Sequence, residues 1–277
     1  MPELPDVEAV RRRLEAGLRG RTIVSARAAD RYVLRPGSPR AFGRALVGRT
    51  VRSVDRRGKW LRLLLDDGGR LFSHLGMTGW WIECDRASPE QRSERARIDV
   101  ATGERRSRSF RYVDSRRFGR LIPARDDLRE WQSLGPDPLV DGIDVPRLAA
   151  ALARSRRAVK EALMDQSILA GIGNILATEA LWRARIDPRS RSAALSRAEV
   201  AQVARGLSAE LRRELSVRAA ARDDDWEDDV AVYGRSGQPC PRCGEPIARV
   251  VLGGRTTAFC TRCQVLRGRA AAVGSRR

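Results

Sequence analysis

Lysine is nearly absent from this sequence: Lys59 and Lys160 are the only two among 54 basic residues, so arginine is used almost everywhere. Guanidinium does not give up its proton, which leaves two places where a side-chain ammonium can. Histidine occurs once, as His74. No run of about 18 apolar residues exists, which excludes a membrane-spanning helix. The start, Met-Pro-Glu-Leu-Pro-Asp, lacks the apolar core of a signal peptide. No internal repeat is found, and the G-x-x-x-x-G-K-[ST] nucleotide loop is missing. Of the five cysteines, four crowd near the C-terminal end, a pattern of metal binding rather than of a disulfide framework. These absences predict a cytoplasmic protein with no membrane partner.

What is present in excess is positive charge. The net charge of +19 and the pI near 11.3 point to a polyanion, because each neutralised phosphate releases condensed counterions. Charge alone does not separate DNA from RNA, or an enzyme from a packing protein.

The chain divides by pattern. Residues 5 to 18 read as an amphipathic helix with Pro5 in its first turn and Val7, Val10, Leu14 and Leu18 on one stripe. From 22 to 125 short β-type runs take over, among them Thr22–Val24, Trp60–Leu65, Arg70–Ser73, Trp80–Ile82 and Leu121–Ile122. Residues 131 to 146, with Gly135-Pro136-Asp137-Pro138 and Pro146, read as a linker. Residues 147 to 232 are mainly helical, and an acidic stretch occupies 222–229. The last part, 233 to 277, carries the cysteines and an Arg-rich tail.

Three features carry chemistry. Cys240-x-x-Cys243 and Cys260-x-x-Cys263 are paired knuckles whose four thiolates close a tetrahedral site for one structural zinc ion. Between them, two alternating segments flank Gly253-Gly254, with Arg255 near the hairpin tip. Cys84 stands apart and reads as a small buried side chain. Second, Gly171-Ile-Gly173-Asn174 precedes a helical run, with Asn174 as its N-cap and free N–H groups suited to phosphate. Third, loss of Met1 would leave Pro2 with a free secondary amine, a nucleophile toward a sugar aldehyde, beside the Glu3 carboxyl.

Six ordered blocks extend these features: Pro2-Glu-Leu-Pro-Asp-Val-Glu8, Arg57-Gly-Lys-Trp60, His74-Leu-Gly-Met-Thr-Gly79, Tyr112-Val-Asp-Ser-Arg-Arg-Phe-Gly119, the Gly171–Asn174 turn and the four-cysteine finger. Together, over nearly the whole chain, they resemble the formamidopyrimidine-DNA glycosylase family, bacterial enzymes that remove oxidised purines. The resemblance implies an α+β fold: an antiparallel β-sandwich with a flanking helix (1–130), a helix-two-turn-helix domain and a β-hairpin zinc finger. It implies damaged double-stranded DNA as the partner of a nucleoid-associated enzyme, with a monomer as the default. Pro2 would attack C1′, Glu3 would serve as acid and base, and Lys59 would hold the phosphate backbone. Met77, Arg116 and Phe118 would fill the space left by a flipped base, Phe118 as the wedge and Arg116 facing the orphaned base. Asn174 and Arg255 would bind phosphates and Lys160 would lie near the lesion strand. His74 is expected at the DNA surface, supporting the loop that carries Met77.

Three departures from the family pattern bear on the lesion rather than on the reaction, one being the Arg-rich tail after Cys263, which exceeds the usual end just past the finger. Asp6 stands where glutamate is usual, and the acidic 222–229 stretch replaces a longer Gly- and Thr-rich loop. A sister enzyme acting on oxidised pyrimidines or bulkier adducts, and a non-catalytic DNA-binding protein on the same fold, are the alternatives.

Overall fold

The first helix follows from its start and its stripe. The N–H of Glu3, the N-cap, donates to Asp6 Oδ2 at 2.7 Å, and Pro5 needs no donor partner, so α1 (Leu4–Leu18) begins with its exposed N–H groups partly satisfied. Val7, Val10, Leu14 and Leu18 are buried along one face. The computed structural model describes residues 2–101, 107–220 and 230–268. Met1, the acidic stretch 222–229 and the tail from 269 onward lie outside the described residues. Contacts divide the chain into two units, Met1–Ser133 and Leu134–Arg277, and each is taken by itself.

In the first unit, α1 is followed by β1 (Ile23–Ala28), α2 (Pro39–Leu46), β2 (Val51–Arg57), β3 (Trp60–Leu65), β4 (Arg70–His74), β5 (Gly79–Asp85), β6 (Glu94–Ala101), β7 (Ser107–Asp114), β8 (Arg120–Ala124) and α3 (Arg129–Gln132). The strands form two antiparallel four-stranded sheets, ordered β1-β6-β7-β5 and β2-β3-β4-β8. One core joins them: Val7, Val10 and Leu14 of α1 pack in the same cluster as Val54, Leu61, Leu63 and Leu71 of one sheet and Ile98, Phe110 and Tyr112 of the other. Each such side chain contributes about 1.5–3 kcal/mol by leaving water.

The runs read from sequence locate β1, β3, β4, β5 and β8, but β2, β6 and β7 are masked by charge. Buried Glu94 in β6 pairs with Arg97 at 2.9 Å and with Arg111 of β7 at 3.3 Å, so inward positions carry ions where alternation predicts apolar groups. Cys84, expected to be buried, is half-exposed on β5, whose outer end alternates toward solvent. The expected linker is packed on both sides of the unit boundary. Trp131 lies edge-on to Phe72 at 5.5 Å, and Gly135 N–H donates to Gln166 O at 2.8 Å.

The second unit holds α4 (Val145–Ala153), α5 (Val159–Leu163), α6 (Asn174–Arg183), α7 (Arg197–Ala220) and a hairpin of β9 (Ala248–Leu252) and β10 (Arg255–Phe259). Among the described residues, no helix is long and apolar enough to cross a membrane.

Candidate nucleic-acid interface

The chain's start is held to the sheet by one buried ion pair. Glu8 of α1 meets Arg56 of β2 at 2.9 Å, and Arg56 Nη1 donates to Gly58 O at 3.1 Å. Burial opposes ionisation of Glu8, yet Arg11 and Arg56 hold its carboxyl below the usual value. The pair therefore fixes the β2–β3 turn, which presents Lys59, against the helix that begins with half-buried Pro2 and buried Glu3. Asp6 takes the Glu3 N–H, so the shorter acid at this position is used in capping the helix.

The turns carrying Met77 and Arg116–Phe118 are interlocked through Asp114, whose side chain is fully buried. Asp114 Oδ1 accepts from Thr78 Oγ1 at 2.6 Å and from Arg116 N–H at 3.2 Å, and Oδ2 accepts from Gly119 N–H at 2.8 Å. Backbones touch here: a Cβ on Gly76, at φ +66°, would fall 2.4 Å from the carbonyl carbon of Phe118. A Cβ on Gly119 would fall 1.6 Å from the Tyr112 hydroxyl. Burial and Asp114 raise the pKa of Tyr112 well above its ordinary value, so the hydroxyl stays a donor toward the His74 and Leu75 carbonyls. On this platform Met77 is half-buried, whereas Arg116 and Phe118 are exposed, with the guanidinium 4.9 Å from the ring centroid.

His74 ends β4, paired with Trp60 and with its ring 4.9 Å away. Its Nδ1 accepts the Gly76 N–H at 3.1 Å, which fixes the first residue of the Met77 turn. Burial, then the charges of Arg120 and Lys59, lower its pKa to about 4. The imidazole is neutral at neutral pH, as an acceptor at Nδ1 requires.

In the second unit, the double turn before α6 is tied by Gln166. Its Oε1 accepts Gly171 N–H at 2.8 Å, and its Nε2 donates to Met164 O and Ile172 O. The N-cap is Gly173 rather than the expected Asn174, which is the first helical residue. The Asn174 side chain is engaged elsewhere: Oδ1 accepts from Lys160 Nζ, and Nδ2 donates to Thr256 O at 3.2 Å. Lys160, expected near the DNA strand, is 0% exposed; Nζ also donates to Thr257 Oγ1 at 2.7 Å. Its ammonium thus joins α5, the start of α6 and β10. Arg255 opens β10 directly after the Gly253-Gly254 turn and is half-buried.

The four knuckle sulfurs all lie within 4.8 Å of one another, with Cys243–Cys260 at 3.5 Å and Cys240–Cys263 at 4.0 Å. Tetrahedral zinc with bonds of about 2.3 Å has sulfur edges of about 3.8 Å, so the set fits the ion. The thiols answer one another. Burial resists ionisation of Cys240, yet the Arg242 N–H and the Cys243 N–H help bring it down to about 6. Burial and three sulfur neighbours push Cys263 up to about 12. A cation removes that conflict, and the four cysteines form the site of one structural zinc ion.

The sequence-read residues thus fall into two sets. Pro2, Glu3, Lys59, His74, Met77, Arg116 and Phe118 belong to the first unit; Lys160, Asn174, Arg255 and the cysteines belong to the second. Sequence reasoning assigns no role to Asp114, Tyr112 or Gln166, although Asp114 and Tyr112 stand inside one of the six blocks. It misses Glu179 outright. This acid is buried on α6 and accepts the Ala231, Val232 and Tyr233 N–H groups at 3.0, 3.0 and 2.7 Å. A lone acid in a helical run gives no sign of partners some 52 residues away.

Comparison with known proteins agrees with this arrangement. Residues 1–121 match the formamidopyrimidine-DNA glycosylase N-terminal domain, 134–223 the formamidopyrimidine-DNA glycosylase H2TH domain, and 237–265 the zinc finger found in FPG and IleRS. A formamidopyrimidine-DNA glycosylase of Moorella thermoacetica is 40% identical over 263 residues, covering 90% of this chain and 94% of that protein. The crystal structure of a MutM (Fpg) protein from Thermus thermophilus is similar at a TM-score of 0.81 and 36% identity, over 95% of this chain and 98% of that one. A MutM in complex with DNA containing carbocyclic 8-oxo-G gives a TM-score of 0.86 at 29% identity, over 95% of this chain and 100% of that one. With three successive domain models matched in order across most of its length, the chain belongs to the formamidopyrimidine-DNA glycosylase family.

Proposed function

We propose that the protein is a bifunctional DNA glycosylase and abasic-site lyase of base excision repair that acts on oxidised purines. The observation that carries this is the pairing, at the start of a helix anchored through Glu8–Arg56, of Pro2 with the 3%-exposed carboxyl of Glu3. Once Met1 is removed, the Pro2 nitrogen attacks C1′ as the bond to the damaged base breaks. Glu3 supplies a proton to the departing base or to the ring oxygen. The resulting iminium acidifies C2′, and loss of that proton expels the 3′ phosphate; a second elimination releases the 5′ phosphate and leaves a one-nucleotide gap. Lys59 holds the backbone beside the lesion. Met77, Arg116 and Phe118 occupy the vacated stack. Residues 147–232 and 233–277 grip phosphates through the helix start at Asn174 and through Arg255, with Lys160 positioning both. The relatives crystallised with 8-oxo-G and with Fapy-dG DNA favour the purine reading. The protein is taken to act as a monomer.

Borohydride trapping on duplexes bearing 8-oxoguanine, formamidopyrimidine, an oxidised pyrimidine or an abasic site tests the proposal. A cross-link mapped to Pro2, strongest with a purine lesion, is expected. Undiminished trapping by Pro2→Gly would move the nucleophile to a lysine. Strongest trapping on the pyrimidine would reassign the lesion class. Absence of any cross-link, with Met1 shown to be removed, would leave a DNA-binding protein.

A further inference from the structure

Among the described residues only two aromatic side chains are exposed, Phe118 at 54% and Tyr32 at 44%, and they stand on adjoining segments. The segment carrying Tyr32 is docked on the residues that flank the wedge: Leu121 N–H donates to Val33 O at 2.6 Å, and Arg117 meets Asp30 at 2.8 Å. Arg117 sits at φ +58°, in the left-handed region that arginine rarely adopts, and its guanidinium lies 5.9 Å from the Tyr32 ring centroid. Arg31 and Arg35 approach the same ring at 5.7 and 4.9 Å. Three guanidinium groups thus gather on one ring against a single carboxylate, Asp30. Among the described residues, neither Arg31 nor Arg35 has an acid within ion-pair distance. Three like charges repel, and the ring offers each a cation–π attraction.

We propose that Arg31, Arg35 and Arg117, arrayed on the Tyr32 ring, form a further DNA contact that takes the phosphodiester backbone next to the wedge. The inference rests on the reading of Phe118 as a DNA wedge. Tyr32 is the positioning residue: its ring fixes the guanidinium groups, its N–H donates to Asp30, and its carbonyl accepts from Arg35 Nε at 3.0 Å. An insert at Phe118 brings the backbone within one or two nucleotides of this surface, where planar multi-donor groups suit phosphate oxygens.

The test is binding of a fluorescent duplex carrying a stable abasic-site analogue, measured over a series of KCl concentrations. In Arg31→Ala/Arg35→Ala the slope of log K against log salt should fall by about 2, one for each phosphate no longer neutralised. Arg31→Lys/Arg35→Lys should keep the slope, and Tyr32→Phe should match the wild type while Tyr32→Ala binds more weakly. If the double alanine variant melts at the wild-type temperature and keeps the wild-type slope, these arginines do not touch DNA. If it melts early, Arg31→Gln/Arg35→Gln decides, since it keeps polar stems and removes the charge: a folded glutamine pair with the wild-type slope also overturns the proposal. Wild-type borohydride trapping run alongside reports separately on the family chemistry, so its failure would not be mistaken for failure of this surface.

Discussion

Two buried ionic side chains, Asp114 in the first unit and Lys160 in the second, gather the segments that carry the candidate DNA contacts, and they do so with opposite charge. Around Asp114 two turns offer donors: the Thr78 hydroxyl and the N–H groups of Arg116 and Gly119. Around Lys160 the partners are oxygens: Asn174 Oδ1, Thr257 Oγ1 and the more distant Thr256 carbonyl at 3.5 Å. The sign of the buried charge matches the groups that face it at each place, donors around Asp114 and oxygens around Lys160. Sequence separation differs too. Two of the Asp114 bonds span 2 and 5 residues, whereas Lys160 reaches 97 residues to Thr257. The first gathering is largely local; the second requires the finger hairpin to be folded.

Zinc removal should break the comparison most completely. A structural zinc ion supplies on the order of 10 kcal/mol to a small module. Chelation, or Cys260→Ser, should melt the β9–β10 hairpin, withdraw Thr256 and Thr257 from Lys160, and abolish DNA binding. The Asp114 region should be untouched. Amide hydrogen exchange would show Thr257 and Phe259 losing protection while Gly119 keeps it. Parallel loss at Gly119 would mean that the two regions are one cooperative unit.

Next in size is Lys160→Met, which keeps the stem and removes the ammonium. Asn174 Oδ1 and Thr257 Oγ1 are then left inside without that donor, a cost of about 2–4 kcal/mol. Urea melts should show it; a change below about 0.5 kcal/mol would mean that water enters and replaces the ammonium. Asp114→Asn is gentler at about 1–2 kcal/mol, since the amide keeps one acceptor but turns an N–H toward an N–H. Excision of an intact damaged base should suffer more than cleavage at an abasic site, where no base needs displacing. Equal losses on both substrates would detach Asp114 from the wedge.

These two residues also mark how far the sequence was legible. The first helix, read at 5–18 and found at 4–18, the strands β1, β3, β4, β5 and β8, and the cysteine finger are local patterns of periodicity, turns and spacing, and they stand in the structure where the patterns put them. Pro2, Glu3 and the wedge residues emerge only because short blocks carry a family resemblance; nothing in a lone Met-Pro-Glu announces chemistry. What stayed hidden was long-range or inverted. Strands β6 and β7 bury Glu94 and Arg111 as a pair, which cancels the alternation that marks a strand. Asn174 has the residue type of an N-cap, but Lys160 and a strand 82 residues away claim its side chain. Glu179 shows no partner until 231–233 fold back on it. Each miss is a case of tertiary partners overriding local propensity.

The smallest expected effect uses pH to separate the two regions. His74 has a folded pKa of about 4 against an ordinary 6.5, so between those values the unfolded chain binds more protons. Its contribution is fully present above pH 6.5 and is lost as pH falls toward 4. For a ring that keeps some solvent contact the loss is about 1 kcal/mol. Glu179 has the opposite sign: burial raises its pKa despite three N–H donors, so the folded state takes up its proton first and gains stability as pH falls. Acid should therefore loosen the Met77 turn while relieving the burial cost of the Glu179 carboxylate. His74→Asn retains an acceptor for Gly76 N–H and does not titrate. Because His74 is the only histidine, wild type minus His74→Asn isolates its share from urea melts between about pH 6.5 and 4.5. A difference that grows as pH falls, with Asn the more stable in acid, is expected. A flat difference would mean that the imidazole charges without penalty and that its bond to Gly76 does not hold the turn.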